Sequence, residues 1–159
     1  MFRNLNLCKP MVNYIRSIHI ERELSNLGLK LPQPSSSKKS FVDFVRRGNT
    51  IYLSGHLPQP AEGALITGKV GKDVSVEQGY EASKIVGINL IASLVHNKID
   101  LDKVKVTKIF GLVNCTDGFS QQPAVINGCS DLFLKLFGSE NGKHARSAVG
   151  TVSSILSCD

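Results

Sequence analysis

The sequence predicts an α+β domain in which two helices pack on one face of a mixed sheet. One observation is the order of its patterned segments, strand, strand, helix, strand, helix, strand. Another is a capping-box signature, Ser75-Val76-Glu77-Gln78, ahead of a long apolar stretch. The composition is that of an ordinary globular protein: 159 residues, 42% hydrophobic, 20% charged and a mean hydropathy of −0.01. A chain of this length can bury roughly 68–70% of its unfolded surface, enough for a core that needs neither disulfides nor a structural metal.

Residues 1–19 read as an N-terminal extension and 20–159 as a single domain. The first twenty residues carry Arg3, Lys9 and Arg16 and no acidic side chain, interleaved with Phe2, Leu5, Leu7, Met11, Val12, Tyr14, Ile15 and Ile18. That composition is compatible with a mitochondrial presequence, while Pro10 argues against one continuous amphipathic helix, so a plain extension and a cytoplasmic location stay open. Glu21 to Leu29 is expected to form one or two helical turns ended by Gly28, and Pro32 to Lys39 an extended connector.

Strands begin at Phe41. Phe41 to Arg46 and Thr50 to Gly55 flank Arg47-Gly48-Asn49, a tight-hairpin sequence whose Gly-Asn pair can supply positive φ values. His56 to Asp73, with Pro58, Pro60, Gly63, Gly68 and Gly71, reads as a loop with at most one short strand around Ala64 to Thr67. The first helix is expected from the Ser75 cap to about His96, with apolar residues nearly all round. Val104 to Cys115 reads as a strand, and Gln122 to Phe137 as a helix on the spacing of Val125, Cys129, Leu132, Phe133 and Leu136, with Gly138 past its end. Arg146 to Val152 is the last expected strand.

The sequence excludes several function classes. No run reaches the ~18 apolar residues of a membrane span, since Ile85 to Val95 is broken by Gly87, Asn89 and Ser93. Neither a dinucleotide glycine loop nor a phosphate-binding lysine loop occurs, so no cofactor is expected. His19, His56, His96 and His144 are isolated and lack metal-site spacing, so no metal is expected either. Cys8, Cys115, Cys129 and Cys158 show no C-x-x-C pairing, which favours free thiols in a reducing compartment. Cys115 and Cys129 are conceivable nucleophiles, but Cys129 lies on the apolar helix stripe, where a core role fits better.

The net charge of +6 argues against nucleic acid once it is divided along the chain. Residues 1–50 hold nine Lys and Arg against three acidic residues, whereas the remaining 109 hold ten of each sign. The residue with the most chemical promise is Arg146, at the start of a small-residue strand where its guanidinium would be partly enclosed. Such a side chain either grips a carboxylate through two parallel hydrogen bonds or sits in a structural salt bridge.

The ordered series Tyr52-Leu53-Ser54-Gly55, Thr67-Gly68-Lys69-Val70-Gly71, Gly79-Tyr80-Glu81-Ala82, Asp100-Leu101-Asp102, Gln122 to Gly128 and His144 to Gly150 resembles the RidA/YjgF family. It is most similar to the longer branch, often described as L-PSP endoribonuclease-like, with a chorismate-mutase-like fold. The resemblance spans about Ile20 to Thr151 and implies homotrimers with clefts between subunits. It also implies hydrolysis of reactive enamines and imines such as 2-aminoacrylate to a ketoacid and ammonia. The family's carboxylate-gripping arginine falls on Arg146, its strand-end glycine on Gly55 beside Ser54, its cleft asparagine on Asn127 and its cleft tyrosine on Phe41.

This chain departs from that pattern in three places. Phe41 lacks the tyrosine hydroxyl, and Ala148 stands where some members carry a reactive cysteine. Members also continue into a final strand of V-E-I-E-A type that brings an acidic residue to the site, whereas here Ser153 to Asp159 follow. The resemblance therefore implies a domain short of its last strand, with a neighbouring strand left unpaired and reduced stability. Two alternatives to the deaminase stand beside it: a non-catalytic trimer that binds small carboxylates, and the RNA-cleaving or translation-inhibiting role of the older family description.

Overall fold

The computed structural model describes residues 20, 22–33 and 40–152. The presequence reading, most of the expected connector and the expectation for Ser153 to Asp159 fall outside the described residues.

A short helix, α1, whose described residues are 20 and 22–26, buries Ile20 and Leu24 in the core. Gly28 ends it as expected. At φ 64° it lets the Leu29 amide reach the Leu24 carbonyl and its own amide reach the Ser25 carbonyl, closing the helix with two reversed hydrogen bonds. The hairpin follows as β1 (Phe44–Arg47) and β2 (Thr50–Leu53), antiparallel, with Phe44 opposite Leu53 and Arg47 opposite Thr50. Only Gly48 of the turn takes a positive φ, 57°, the signature of a turn with glycine at its first central position, so Asn49 needs no left-handed conformation.

The loop to residue 73 forms no strand; instead Val70 makes single bridges to Val74 and Cys115. Helix α2 spans Val76–His96 and opens as expected: the Gln78 amide donates to Ser75 Oγ at 3.2 Å and the Ser75 amide to Gln78 Oε1 at 2.8 Å. After a 3-10 turn at Leu101–Lys103, strand β3 runs over Lys108–Asn114. It starts four residues later than the apolar pattern suggests, because the Val106 amide donates to the Asn141 carbonyl and not to a strand.

Helix α3 covers Gln122–Asn141, past the expected end. Gly138, at φ 72° and ψ 178°, does break the helical path, and the chain re-enters a last turn beyond it. Strand β4, Ala145–Thr151, then pairs with β3 in parallel, Ile109 opposite Arg146 and Gly111 opposite Ala148. The strands thus stand as two pairs, one antiparallel and one parallel. The mixed pairing expected of the sheet is divided between them.

The two long helices, α2 and α3, lie on one side of the strands. Ile109 and Val113 of β3 are buried beneath α3, and Ile51 and Leu53 of β2 pack on the same core. Gly111 lets α3 sit down on β3, since a Cβ there would meet Ile126 Cδ1 at 2.4 Å. The two helices approach closely through Gly79, Ser83 and Gly87 of α2 and Gly128 of α3, with Ser83 Oγ accepting the Cys129 amide at 3.3 Å. The other side of the strands is open and apolar: Tyr52 is 63% exposed, Phe110 64% and Leu112 50%. No helix among the described residues is long and apolar enough to cross a membrane.

Candidate functional site

The β3–β4 register turns Arg146 toward α3, on the same side of the pair as buried Ile109. Its Nη1 donates to Asn127 Oδ1 at 2.7 Å and to Ser130 Oγ at 3.2 Å. Asn127 and Ser130 are three apart on α3 and therefore share a helix face, which is how one guanidinium nitrogen reaches both. Ser130 Oγ also lies 3.1 Å from His144 Nε2, and His144 Nδ1 is 2.6 Å from the Gly142 carbonyl. Phe133 contacts the imidazole edge-on at a centroid distance of 6.5 Å.

Arg146 is half-buried, and among the described residues no carboxylate pairs with it. Its partners are a neutral amide and a neutral hydroxyl, so the salt-bridge reading of this residue has no support in the described structure. Both hydrogens of Nη1 are engaged. Among the described residues no group takes the Nε and Nη2 hydrogens, and these form the edge of the guanidinium that takes a carboxylate side-on through two parallel bonds.

The other expected site residues are placed as follows. Ser54 Oγ donates to the Val42 carbonyl at 2.6 Å and its amide to the Asp43 carbonyl at 2.9 Å, which ties the end of β2 to the segment carrying Phe41. Gly55 is exposed, with nothing within 4 Å of where a Cβ would stand, and Phe41 is 61% exposed. These three residues flank the hairpin, whereas Arg146 lies on β4 and Asn127 on α3. Ala148 faces α3 and is partly buried against the core.

Ser130 and His144 were not singled out by sequence as site residues. Their signal was the spacing Asn127-x-x-Ser130 on one helix face together with His144-x-Arg146, which brings both to the same guanidinium.

Neither described cysteine has the character of a nucleophile. Cys115 and Cys129 are free and buried, and burial pushes the Cys129 thiol up to about 12. The neutral thiol is thus favoured in the folded state, while the unfolded chain ionises it from the usual 9.0, so this group's contribution to stability is lost as pH rises from about 9 to about 12. At pH 8, Cys129 in the native protein should stay unlabelled by a disulfide reagent, as read by peptide mass mapping, and label fully in urea. Among the described residues, no three His, Cys, Asp or Glu side chains gather as metal ligands.

Comparison with known proteins agrees with this architecture. The profile of the family described as "YjgF/chorismate mutase-like, putative endoribonuclease" matches residues 21–156. "Protein TCP17" of Trypanosoma cruzi is 35% identical over 140 residues, covering 87% of this chain and 88% of its own. Among solved structures, Atu1372 of Agrobacterium tumefaciens, itself of unknown function, superposes with a TM-score of 0.81 at 34% identity, covering 92% of this chain and 91% of its own. A protein of Shewanella oneidensis titled "putative endoribonuclease" superposes with a TM-score of 0.77 at 27% identity, covering 83% of this chain and 87% of its own. With the family profile covering most of the chain and the same fold in its relatives, this protein belongs to the YjgF/chorismate-mutase-like family.

Proposed function

We propose that this protein binds small carboxylate-bearing imines or enamines in clefts of a homotrimer and hydrolyses them to a ketoacid and ammonia. The observation that carries the reading is Arg146, anchored through Nη1 on neutral partners, with its side-on edge taken by no group among the described residues. In the reaction, 2-aminoacrylate takes a proton at its terminal carbon and becomes the imine. Water adds to the imine carbon, ammonia leaves, and pyruvate remains. Arg146 holds the carboxylate and so fixes the reacting carbon, and the Gly55 backbone and Phe41 supply the opposite wall.

The trimer reading draws support from exposed apolar side chains on the strands, Val45 and Tyr52 on one pair and Phe110, Leu112 and Val149 on the other. Subunit packing through these side chains would bring one subunit's hairpin to another's Arg146. Light scattering should give three times the 17.3 kDa chain mass, and Leu112→Glu should reduce it to one. A wild-type monomer would sink the shared-cleft arrangement.

The deciding experiment is ketoacid release from a 2-aminoacrylate generator, which Arg146→Ala should abolish. Release at the wild-type rate by the variant would refute the role given to Arg146. A second reading, carboxylate binding without turnover, draws support from Phe41 and Ala148 in place of a phenol and a thiol. It predicts ketoacid binding by calorimetry with deaminase activity at background. RNA cleavage, the activity named in the family description, receives least support, because residues 51–159 are charge-neutral and offer no basic stripe for a phosphate backbone.

A further inference from the structure

We infer that His144 is a positioning residue that acts through Ser130 to fix the guanidinium of Arg146. The inference rests on the reading of Arg146 as a carboxylate clamp and names what holds the clamp still.

The direction of each hydrogen bond follows from the chemistry of its ends. The Gly142 carbonyl can only accept, so His144 Nδ1 carries the hydrogen of the 2.6 Å contact. In the neutral imidazole, Nε2 is then the acceptor, and the hydroxyl hydrogen of Ser130 is drawn to it across 3.1 Å. With its hydrogen committed, Ser130 Oγ turns a lone pair toward Arg146 Nη1 at 3.2 Å. Asn127 Oδ1 takes the other Nη1 hydrogen at 2.7 Å. Two acceptors in fixed directions define the plane of a guanidinium, whereas one alone leaves it free to swing.

The chain is held from behind. Ser130 is buried on α3, and Phe133, three residues on, packs edge-on against the imidazole. Gly142 caps the turn that follows the Gly138 break, its amide donating to the Gly138 carbonyl at 2.8 Å, which places the carbonyl that sets the histidine tautomer at the end of α3. The long part of α3 therefore supplies both acceptors of Arg146 Nη1, and the turn after Gly138 supplies the carbonyl that orients the histidine behind them.

The test uses nitrogen NMR of the full-length protein without ligand, together with calorimetry using pyruvate. In the wild type, slow rotation about the Arg146 Nε–Cζ bond should give separate Nη signals. His144→Leu and Ser130→Ala should merge them and weaken pyruvate binding about tenfold, while His144→Gln, whose side-chain oxygen can accept from Ser130, should retain the separate signals and near-wild-type affinity. Ser130→Ala removes a single oxygen and His144→Gln keeps the acceptor, so the comparison does not depend on how well His144→Leu folds.

Merged signals in the wild type, or separate signals and unchanged affinity in both His144→Leu and Ser130→Ala, would overturn the inference. If Arg146→Ala loses pyruvate while those two variants bind it normally, the positioning role fails and the carboxylate clamp stands. If the signals depend on His144 yet the wild type ignores pyruvate, the clamp fails and the positioning role stands.

Discussion

Gly128→Ala should be among the most destabilising single substitutions in this protein. A Cβ at Gly128 would stand 1.9 Å from the Tyr80 carbonyl oxygen, 2.9 Å from its carbon and 3.0 Å from the Lys84 amide nitrogen. All three are backbone atoms of α2, which no rotamer change can move aside. The other close approaches are softer: a Cβ at Gly79 meets Val125 methyls at 3.2 and 3.3 Å, and one at Gly87 meets a Leu132 methyl at 3.0 Å and the Cys129 sulfur at 3.2 Å. At Gly128 the helices themselves must part, which places the cost at the upper end of overpacking, about 3 kcal/mol. A thermal melt should show a fall of roughly 6–12 °C for a chain of this size. Gly55→Ala, with open space around it, should melt within ~2 °C of wild type, and an equal loss in both variants would refute the argument from helix approach.

The substitution with the largest expected effect on ligand binding is at Arg146. Side-on binding of a carboxylate uses two charge-assisted hydrogen bonds, and Arg146→Ala removes both, so pyruvate affinity should fall about a hundredfold, or ~2.7 kcal/mol. Arg146→Lys keeps the charge but not the planar fork, and it cannot hold Asn127, Ser130 and a carboxylate edge together. It should recover about tenfold of the loss at most. Folding should be nearly indifferent, since Asn127 is exposed to water and buried Ser130 keeps its hydrogen bond to His144. Full affinity in the lysine variant would show that charge alone suffices and that the fork geometry is irrelevant.

The two sites are linked. Gly128 lies between Asn127 and Ser130, so any parting of the helices also displaces the acceptors that orient Arg146.

What the sequence made legible depends on whether the decisive interaction was local. The start of α2 could be read because Ser75 and Gln78 cap each other within one turn, and the end of α1 because Gly28 alone closes it. The start of β3 could not, since Val104 to Thr107 has the apolar alternation of a strand but its amide at Val106 is used by the distant Asn141 carbonyl. The helical turn beyond Gly138 was missed for the reason that one positive φ does not oblige a chain to stop. Of the candidate site, Asn127 and Arg146 came through family resemblance, and the structure joins them directly. Ser130 and His144 stand at helix and strand spacing from those two, but that spacing gains meaning only once β4 lies beside β3 against α3.

The hairpin introduces an asymmetry of another kind. Two four-residue strands closed by a two-residue turn are marginal on their own, and β1–β2 touches the core mainly through Ile51 and Leu53, whereas β3–β4 has seven paired positions backed by α3. The hairpin is therefore expected to open locally ahead of global unfolding. In the proposed cleft, Arg146 is the preformed half and the wall carrying Phe41, Ser54 and Gly55 is the half with freedom to lose. A ligand bridging the two would spend part of its binding energy quieting that wall, and slower amide exchange along β1 and β2 would record it.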